Sequence, residues 1–436
     1  MSASVPFEKE TLYLFLSCPS GVEPLLEQEV RAILPRAHTE ALRGGVSVKS
    51  NAEGVMQLNL ESRLAQRVLI EIGGGPYRHE DDIYAITRGI DWTQWITPQH
   101  TIRVDLVAQR SPLQSLNFTT LRVKDAICDV LRDATGERPS VDTRFPDLPV
   151  VMHVGPTDAT IYIDSSGEPL FKRGWREDKG DAPLKETLAA AMLAAAGWRG
   201  TPETGGALHD PCCGSGTIAV EAAQIACGMA AGMQRRFAFE RQLPFAPLRG
   251  RFQAIKQAAK DREHAPAVPI FCSDVAFRMV DFARRNAERA GVAQYIQFNG
   301  GDALERPAPD LPEGMPGTVM MNPPYGERIE VRGKAGSMTM SRDAGGSESR
   351  DAGDDFFPRL AAHWKRAYTQ NPAGWTAWLL CPDMKLPSKM RLKESRKVPM
   401  WNGPIECRLF RFDLVAGSAR KPKSGELPEG QPPEHG

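Results

Sequence analysis

No apolar run in this 436-residue chain approaches the roughly 18 to 20 residues needed to span a bilayer, which excludes a helical membrane protein. The first residues, MSASVPFEKETLYLFLSCPS, lack a basic start, a long apolar stretch and a small-residue cleavage site. Export is therefore not expected, and a cytoplasmic location follows by default. The eight cysteines, at 18, 128, 212, 213, 227, 272, 381 and 407, form no C-x-x-C pair and no His/Cys cluster at zinc spacing. Reduced thiols and no metal are expected. Net charge is missing too, with 54 Lys plus Arg against 54 Asp plus Glu, so any nucleic-acid contact must rest on local patches. One such patch runs from Lys385 to Arg411, where Lys385, Lys389, Arg391, Lys393, Arg396, Lys397, Arg408 and Arg411 face only Glu394 and Glu406. A solvated face has the same composition, and both readings stay open.

What is present is enough chain for two or three cores, with ordinary hydrophobic (41%) and charged (25%) content for a globular protein. Apolar spacing predicts a strand at 11–16, a helix at 21–33, strands at 45–48 and 56–60, and a helix at 61–72. A strand at 101–107, a helix at 119–133 and strands near 150–154 and 159–164 follow. This half reads as α+β. The stretch FKRGWREDKGDAPLK, at 171–185, breaks the pattern with Gly, Pro and mixed charge and reads as a linker. Beyond it a helix from 186, a strand at 207–210, a Gly-rich turn and a helix, then a strand and helix over 269–290, predict a doubly wound parallel sheet. Residues 333–355 and 417–436 are rich in Gly, Ser, Asp or Pro without periodicity and are assigned no structure.

The chemistry-bearing residues begin at LHDPCCGSGT, 208–217, where Asp210 ends a strand and Gly214 and Gly216 precede a helix. Glycines let backbone approach a ligand, and a helix N-terminus favours negative charge. A nicotinamide dinucleotide site is disfavoured: the third glycine of its fingerprint is lacking, and the next strand-ending acid, Asp274, comes 58 positions after Gly216. Asp274 could accept both hydroxyls of a ribose, or serve only as a helix N-cap. Asp302 could receive an adenine amino group, or close a turn. The more specific signal is VMMNPPYGERI at 319–329, an apolar strand ending in Asn322-Pro323-Pro324-Tyr325. An amine conjugated to a base ring is a poor nucleophile. The Asn322 side-chain oxygen and the Pro323 carbonyl can accept hydrogen bonds from it and aim its lone pair at a methyl sulfonium. Two prolines stiffen the turn, and Tyr325 offers a ring for an unstacked base. The bland counterpart is a tight turn with an exposed tyrosine. Cys212 and Cys213 read as small buried residues, not nucleophiles.

These residues, with RLAQRVLIEIG (63–73), LRVKDAICD (121–129), FKRGWR (171–176), APLKETLAAA (182–191), SD (273–274) and NPPYGERI (322–329), give a chain that resembles the THUMP-containing class I RNA methyltransferases. Among them it is most similar to the bacterial enzymes that methylate the guanine 2-amino group in large-subunit ribosomal RNA. The resemblance implies a ferredoxin-like segment (1–50) and a THUMP RNA-binding domain (51–166), α+β, then a linker (167–185) and an α/β, doubly wound, Rossmann-like class I methyltransferase domain (186–416). The implied cofactor is S-adenosyl-L-methionine, lined by Asp210, Cys212, Gly214, Ser215, Gly216 and Thr217, with Asp274 on its ribose, Asp302 and Ala303 near adenine, Asn322 beside the methyl, and APLKE, including Lys185, over its methionine end. Asn322, Pro323, Pro324 and Tyr325 would hold the target base. Arg122 and Lys124 would touch RNA, though a solvated helix face explains them equally. Some relatives continue into a second methyltransferase domain; this chain is too short for one, so a single modification by a monomer is expected. The insert after NPPYGERI is read as a linker in preference to a lid. Three rivals are a transfer-RNA guanine methyltransferase, a DNA adenine-amino methyltransferase and a silent RNA-binding scaffold.

Overall fold

The structure, a computed structural model, describes residues 7–180, 183–323 and 348–415. The first half builds one eight-stranded mixed sheet from β1 (Leu12–Ser17), β2 (His38–Leu42), β3 (Gly45–Ser50), β4 (Arg67–Pro76), β5 (Thr101–Ala108), β6 (Ser140–Val141), β7 (Leu148–Val154) and β8 (Asp158–Asp164), in the order β2-β3-β1-β4-β8-β7-β5-β6. It carries α1 (Glu23–Ile33), α2 (Ala52–Glu61), α3 (Glu80–Arg88) and α4 (Leu116–Thr135). The antiparallel β1–β4 ladder, Leu14 opposite Ile70, joins the expected 1–50 and 51–166 segments into one sheet.

Two expectations are corrected in this sheet. Residues 56–60, expected as a strand, lie in α2. Asn51 caps it, its Oδ1 accepting from the Gly54 N–H at 3.0 Å, and Val55, Met56 and Asn59 share a buried face at helical spacing. Residues 67–72, expected as helix, form β4: Val68, Ile70 and Ile72 alternate, β-branched residues fit a pleated surface, and Gly73-Gly74-Gly75 would end a helix. At Gly74 a Cβ would lie 2.5 Å from the Ala159 carbonyl, so only glycine lets β8 approach.

The second half contains α5 (Glu186–Ala196), β9 (Ala207–Asp210), α6 (Thr217–Ala226), α7 (Arg249–Asp261), β10 (Ile270–Asp274), α8 (Phe277–Arg289), β11 (Ile296–Gly300), β12 (Gly317–Met321), α9 (Glu348–Ala367), β13 (Trp375–Cys381), α10 (Leu386–Met390), β14 (Arg396–Asn402) and β15 (Ile405–Leu414). Its sheet runs β11-β10-β9-β12-β13-β15-β14, parallel from β11 to β13 and antiparallel beyond. Alternation along β12 sends Met320 into the core shared with α5, α6 and the first sheet. Val319 and Met321 pack on the other face with Phe357, Leu360 and Trp364 of α9. The strand order reverses between β10 and β12 around β9, and ligands of open α/β sheets bind beyond the strand C-termini at such a switch point.

The supposed linker is a packed seam, not a solvated tether: Arg173 and Trp175 are each 1% exposed. Mixed charge misleads there because Arg173 and Arg176 have buried partners, Glu221 and Glu186. Residues 348–355, expected without structure, open α9, which is anchored by the apolar residues Phe357, Leu360, Ala361 and Trp364 further along it. The remainder of the insert and the tail at 417–436 lie outside the described residues. Among the described residues no helix is long and apolar enough to cross a membrane, and no group of three His, Cys, Asp or Glu could hold a metal.

Candidate active site

The site assembles at the C-terminal ends of β9, β10, β11 and β12. Register sets Cys272 beside Asp210 and Gly300 beside Asp274, while Val319 pairs with His209, so Asn322 projects just past the same edge. Gly214 and Gly216 have φ of +52° and +84°. At Gly216 a Cβ would fall 2.8 Å from Ala283, so glycine lets α8 close against the turn; at Gly214 it would meet nothing within 4 Å, leaving open space in front of the backbone. The turn delivers the N-terminus of α6 to that space.

Asp274 organises the turn. Its Oδ2 accepts from the Gly214 N–H at 2.9 Å and its Oδ1 from the Ala276 N–H at 2.9 Å. Each carboxylate oxygen keeps a lone pair after these bonds. Both readings of Asp274 thus coexist in one geometry. Asp302 likewise receives the Leu304 N–H at 2.9 Å, two residues past β11. Ala303 beside it is buried in the apolar cluster under α9.

Asp210 is 1% exposed, and its Oδ1 accepts from the Cys212 N–H at 3.2 Å. Burial, and then the Asp274 carboxylate, push its pKa well above the usual carboxylate range. A folded-state pKa above the unfolded value, roughly 3.9, means that this group supports the fold most at low pH and penalises it as pH rises through the raised value. Asp210→Asn keeps an acceptor for Cys212 and removes the charge. The variant is expected to melt above the parent at neutral pH, by roughly 2–4 °C per kcal/mol relieved, the gap closing towards about pH 4. Calorimetry showing a lower melting point at neutral pH would contradict this electrostatic assignment.

Beneath the turn, His209 is fully buried and its pKa is driven down to about 3 by burial and then by Arg306, so the ring is neutral. It lies 2.9 Å from the Tyr368 hydroxyl and 3.2 Å from Ser273 Oγ, joining α9, β9 and β10. Cys213 and Cys272 are buried thiols in mutual contact, and their pKa values are raised, which keeps them protonated. No activated sulfur nucleophile arises from them.

At the end of β12, Asn322 Oδ1 is buried without a hydrogen-bond partner among the described residues. An unsatisfied buried acceptor costs about 1–3 kcal/mol, so its retention beside an open turn marks a place for a donor. Pro323 is buried next to it. Pro324 and Tyr325 lie outside the described residues.

Three groups escaped the sequence reading. Arg176 donates Nε to Glu186 Oε1 (2.7 Å), Nη1 to Ser215 Oγ (3.2 Å), and Nη2 to Thr217 Oγ1 (2.8 Å) and the Leu184 carbonyl (3.0 Å), fastening the seam to the glycine turn. Asn286 Nδ2 donates to the carbonyls of Ser215 and Asp178. Phe277, 80% exposed, lays its ring against Gly300, three residues after Asp274. FKRGWR contains the signal for Arg176, but nothing in the sequence tells which arginine of the motif reaches the turn.

The family models fit this geometry in three consecutive pieces. Residues 13–69 match the RlmL ferredoxin-like domain, 77–164 the THUMP domain, and 173–342 the RMKL-like methyltransferase domain. The chain thus carries RlmL ferredoxin-like, THUMP and RMKL-like methyltransferase domain matches in that order. A relative from Pseudomonas paraeruginosa named ribosomal RNA large subunit methyltransferase K/L is 35% identical over 92% of this chain, and the match covers 52% of the relative. The chain thus spans about half the length of the curated relatives it matches. Among solved structures, a "possible methylase from Clostridium difficile 630" is 26% identical with TM-score 0.77, covering 94% of this chain and all of that one. SMU.472, solved with SAH, has the same TM-score and coverage at 24% identity, which establishes shared fold.

The structure brings together Asp210, Cys212, Gly214, Ser215, Gly216, Thr217, Asp274, Asp302, Ala303, Asn322 and Pro323 along one sheet edge. Lys185 precedes α5, and its ammonium sits 5.1 Å from the Phe171 ring, so its side chain is engaged along the seam. Arg122 pairs with Asp81 at 2.7 Å over the Tyr84 ring, and Lys124 pairs with Asp125 at 2.8 Å. Both therefore have acidic partners on their own surface. In the 385–411 patch Lys389, Arg408 and Arg411 likewise pair with Asp383, Glu406 and Asp413, which favours the solvated-face reading.

Proposed function

We propose that this protein is an S-adenosyl-L-methionine-dependent RNA methyltransferase acting on the exocyclic 2-amino group of a guanine in large-subunit ribosomal RNA. The observation that carries the reading is the buried Asn322 Oδ1, without a hydrogen-bond partner among the described residues, past the end of β12 on the edge that bears the glycine turn. The ribosomal RNA methyltransferase names of the relatives and the THUMP match support RNA as substrate. The complex of SMU.472 with SAH supports the cofactor class.

The residues present fit such a cofactor. Asp274 keeps lone pairs for ribose hydroxyls, Asp302 lies at the next strand end for an adenine amino group, and the exposed Phe277 ring between them offers an apolar wall. The open space before Gly214 would take the methionine end. S-adenosyl-L-methionine supplies a methyl group activated by a sulfonium. Asn322 Oδ1 and the Pro323 carbonyl accept hydrogen bonds from the target amine, hold it in place and localise its lone pair. No ionised base is needed, because the proton can leave to water after the nitrogen has gained its methyl group. In this reading residues 13–164 grip the RNA, and the parallel sheet performs the transfer.

Ribosomal RNA from cells lacking the gene, digested and compared with wild type by nucleoside mass spectrometry, is expected to lose one 2-methylguanosine from the large-subunit RNA. An unchanged digest would reject this substrate, and loss of the nucleoside from transfer RNA would move the assignment there.

A further inference from the structure

A cleft of about 1150 Å³ opens along the seam, lined by residues from 166 to 186, by Phe145 and by residues from 234 to 241. That exceeds the roughly 300–1,000 Å³ of small-molecule pockets, so an extended ligand suits it better. Its acids are already engaged. Glu168 pairs with Lys172 at 2.6 Å, Glu186 with Arg176 at 2.7 Å, and Glu240 accepts the Phe237 N–H at 2.8 Å. Arg173, Arg235 and Arg241 are likewise committed, to Glu221, to backbone carbonyls, and to Asp147 with the Pro146 carbonyl respectively. By contrast Lys179 and Arg236 line the cleft, are exposed, and have no ion pair among the described residues, while Lys185 stands over the Phe171 ring. Phe145 of the lining presents a ring that is 64% exposed, and Arg176 and Leu184 of the lining bond directly to Thr217 at the glycine turn.

Unpaired cations and an exposed aromatic ring on one wide groove form the combination that tracks a single-stranded nucleic-acid backbone while stacking a base. We propose that this cleft holds the RNA strand flanking the target nucleotide, with Lys179 and Arg236 on phosphates and Phe145 under a base. The proposal rests on the RNA methyltransferase reading and adds the path by which the strand reaches the site.

The test is fluorescence anisotropy with a labelled, mixed-sequence single-stranded RNA of about twelve nucleotides, titrated across salt concentrations on the full chain. For single strands each phosphate contact contributes about 0.7 to the slope of log affinity against log salt, so Lys179→Ala with Arg236→Ala is expected to lower the slope by about 1.4. Phe145→Ala is expected to weaken binding by roughly 5- to 150-fold with the slope unchanged, since stacking releases no counterions. All three positions are exposed, and unchanged binding of S-adenosyl-L-methionine verifies that the variants fold. Wild-type slope in the double variant overturns the cleft proposal alone; a wild-type protein that binds no RNA overturns the functional reading as well.

Discussion

Asn322→Ala is expected to lower the rate of methyl transfer by about 10²–10³, the loss typical when one preorganised polar group is removed from a reacting centre. The same substitution is expected to leave melting temperature unchanged or slightly raised, because the oxygen removed is buried without a partner among the described residues. Activity and stability should therefore move in opposite directions, which a merely structural asparagine would not produce. Asn322→Asp retains an acceptor oxygen and should recover part of the rate. Single-turnover kinetics with bound RNA, alongside calorimetry, reads both quantities. Unchanged turnover in Asn322→Ala would remove this residue from the chemistry; loss of rate together with a large drop in melting temperature would point to collapse of the β12 edge.

The catalytic sheet was legible because its signals are local. A strand-ending acid, a glycine turn and an apolar run into Asn322-Pro323 each fit within a dozen residues, and each lies where it was expected among the described residues. Misreadings arose where local pattern is ambiguous and tertiary packing decides. The run MQLNL alternates like a strand, yet Asn51 caps it into α2, and RVLIEI has enough aliphatic residues for either period until the β4–β8 ladder selects one. The seam is the instructive failure. Gly, Pro and mixed charge ordinarily mean solvent, but Arg173 and Arg176 are spent on Glu221, Glu186, Ser215 and Thr217, contacts 10 to 48 positions away that no window of sequence displays.

Glu221→Ala is expected to destabilise the whole chain by about 3–5 kcal/mol, the cost of leaving buried charge unpaired, and to lower the melting temperature by on the order of 10 °C. Glu221 lies one turn into α6, so the helix that begins at the glycine turn carries it. Its carboxylate is fully buried between Arg63 (3.0 Å) and Arg173 (3.1 Å). Arg63 belongs to the first sheet's side of the molecule and Arg173 to the seam. Glu29 of α1 closes the cluster by accepting the backbone N–H of Arg63 at 2.8 Å. Burial alone would raise the Glu221 pKa, but Arg173 and Arg63 outweigh it and hold it below the usual value. A depressed folded-state pKa gives stability that is present above the unfolded value, roughly 4.3, and is lost as pH falls through the folded one. Denaturation of the parent and Glu221→Ala should therefore differ most near neutrality and converge in acid. Little change is expected with salt, since buried pairs are poorly screened. Because the cluster ties the glycine turn's own helix to the first sheet, the variant should also bind S-adenosyl-L-methionine more weakly. A catalytic sheet cut free of residues 1–165 would keep Arg173 and Glu221 but lose Arg63 and Glu29, and is expected to be unstable alone. A stable, cofactor-binding fragment would show that the cluster joins two independent folds instead of completing one.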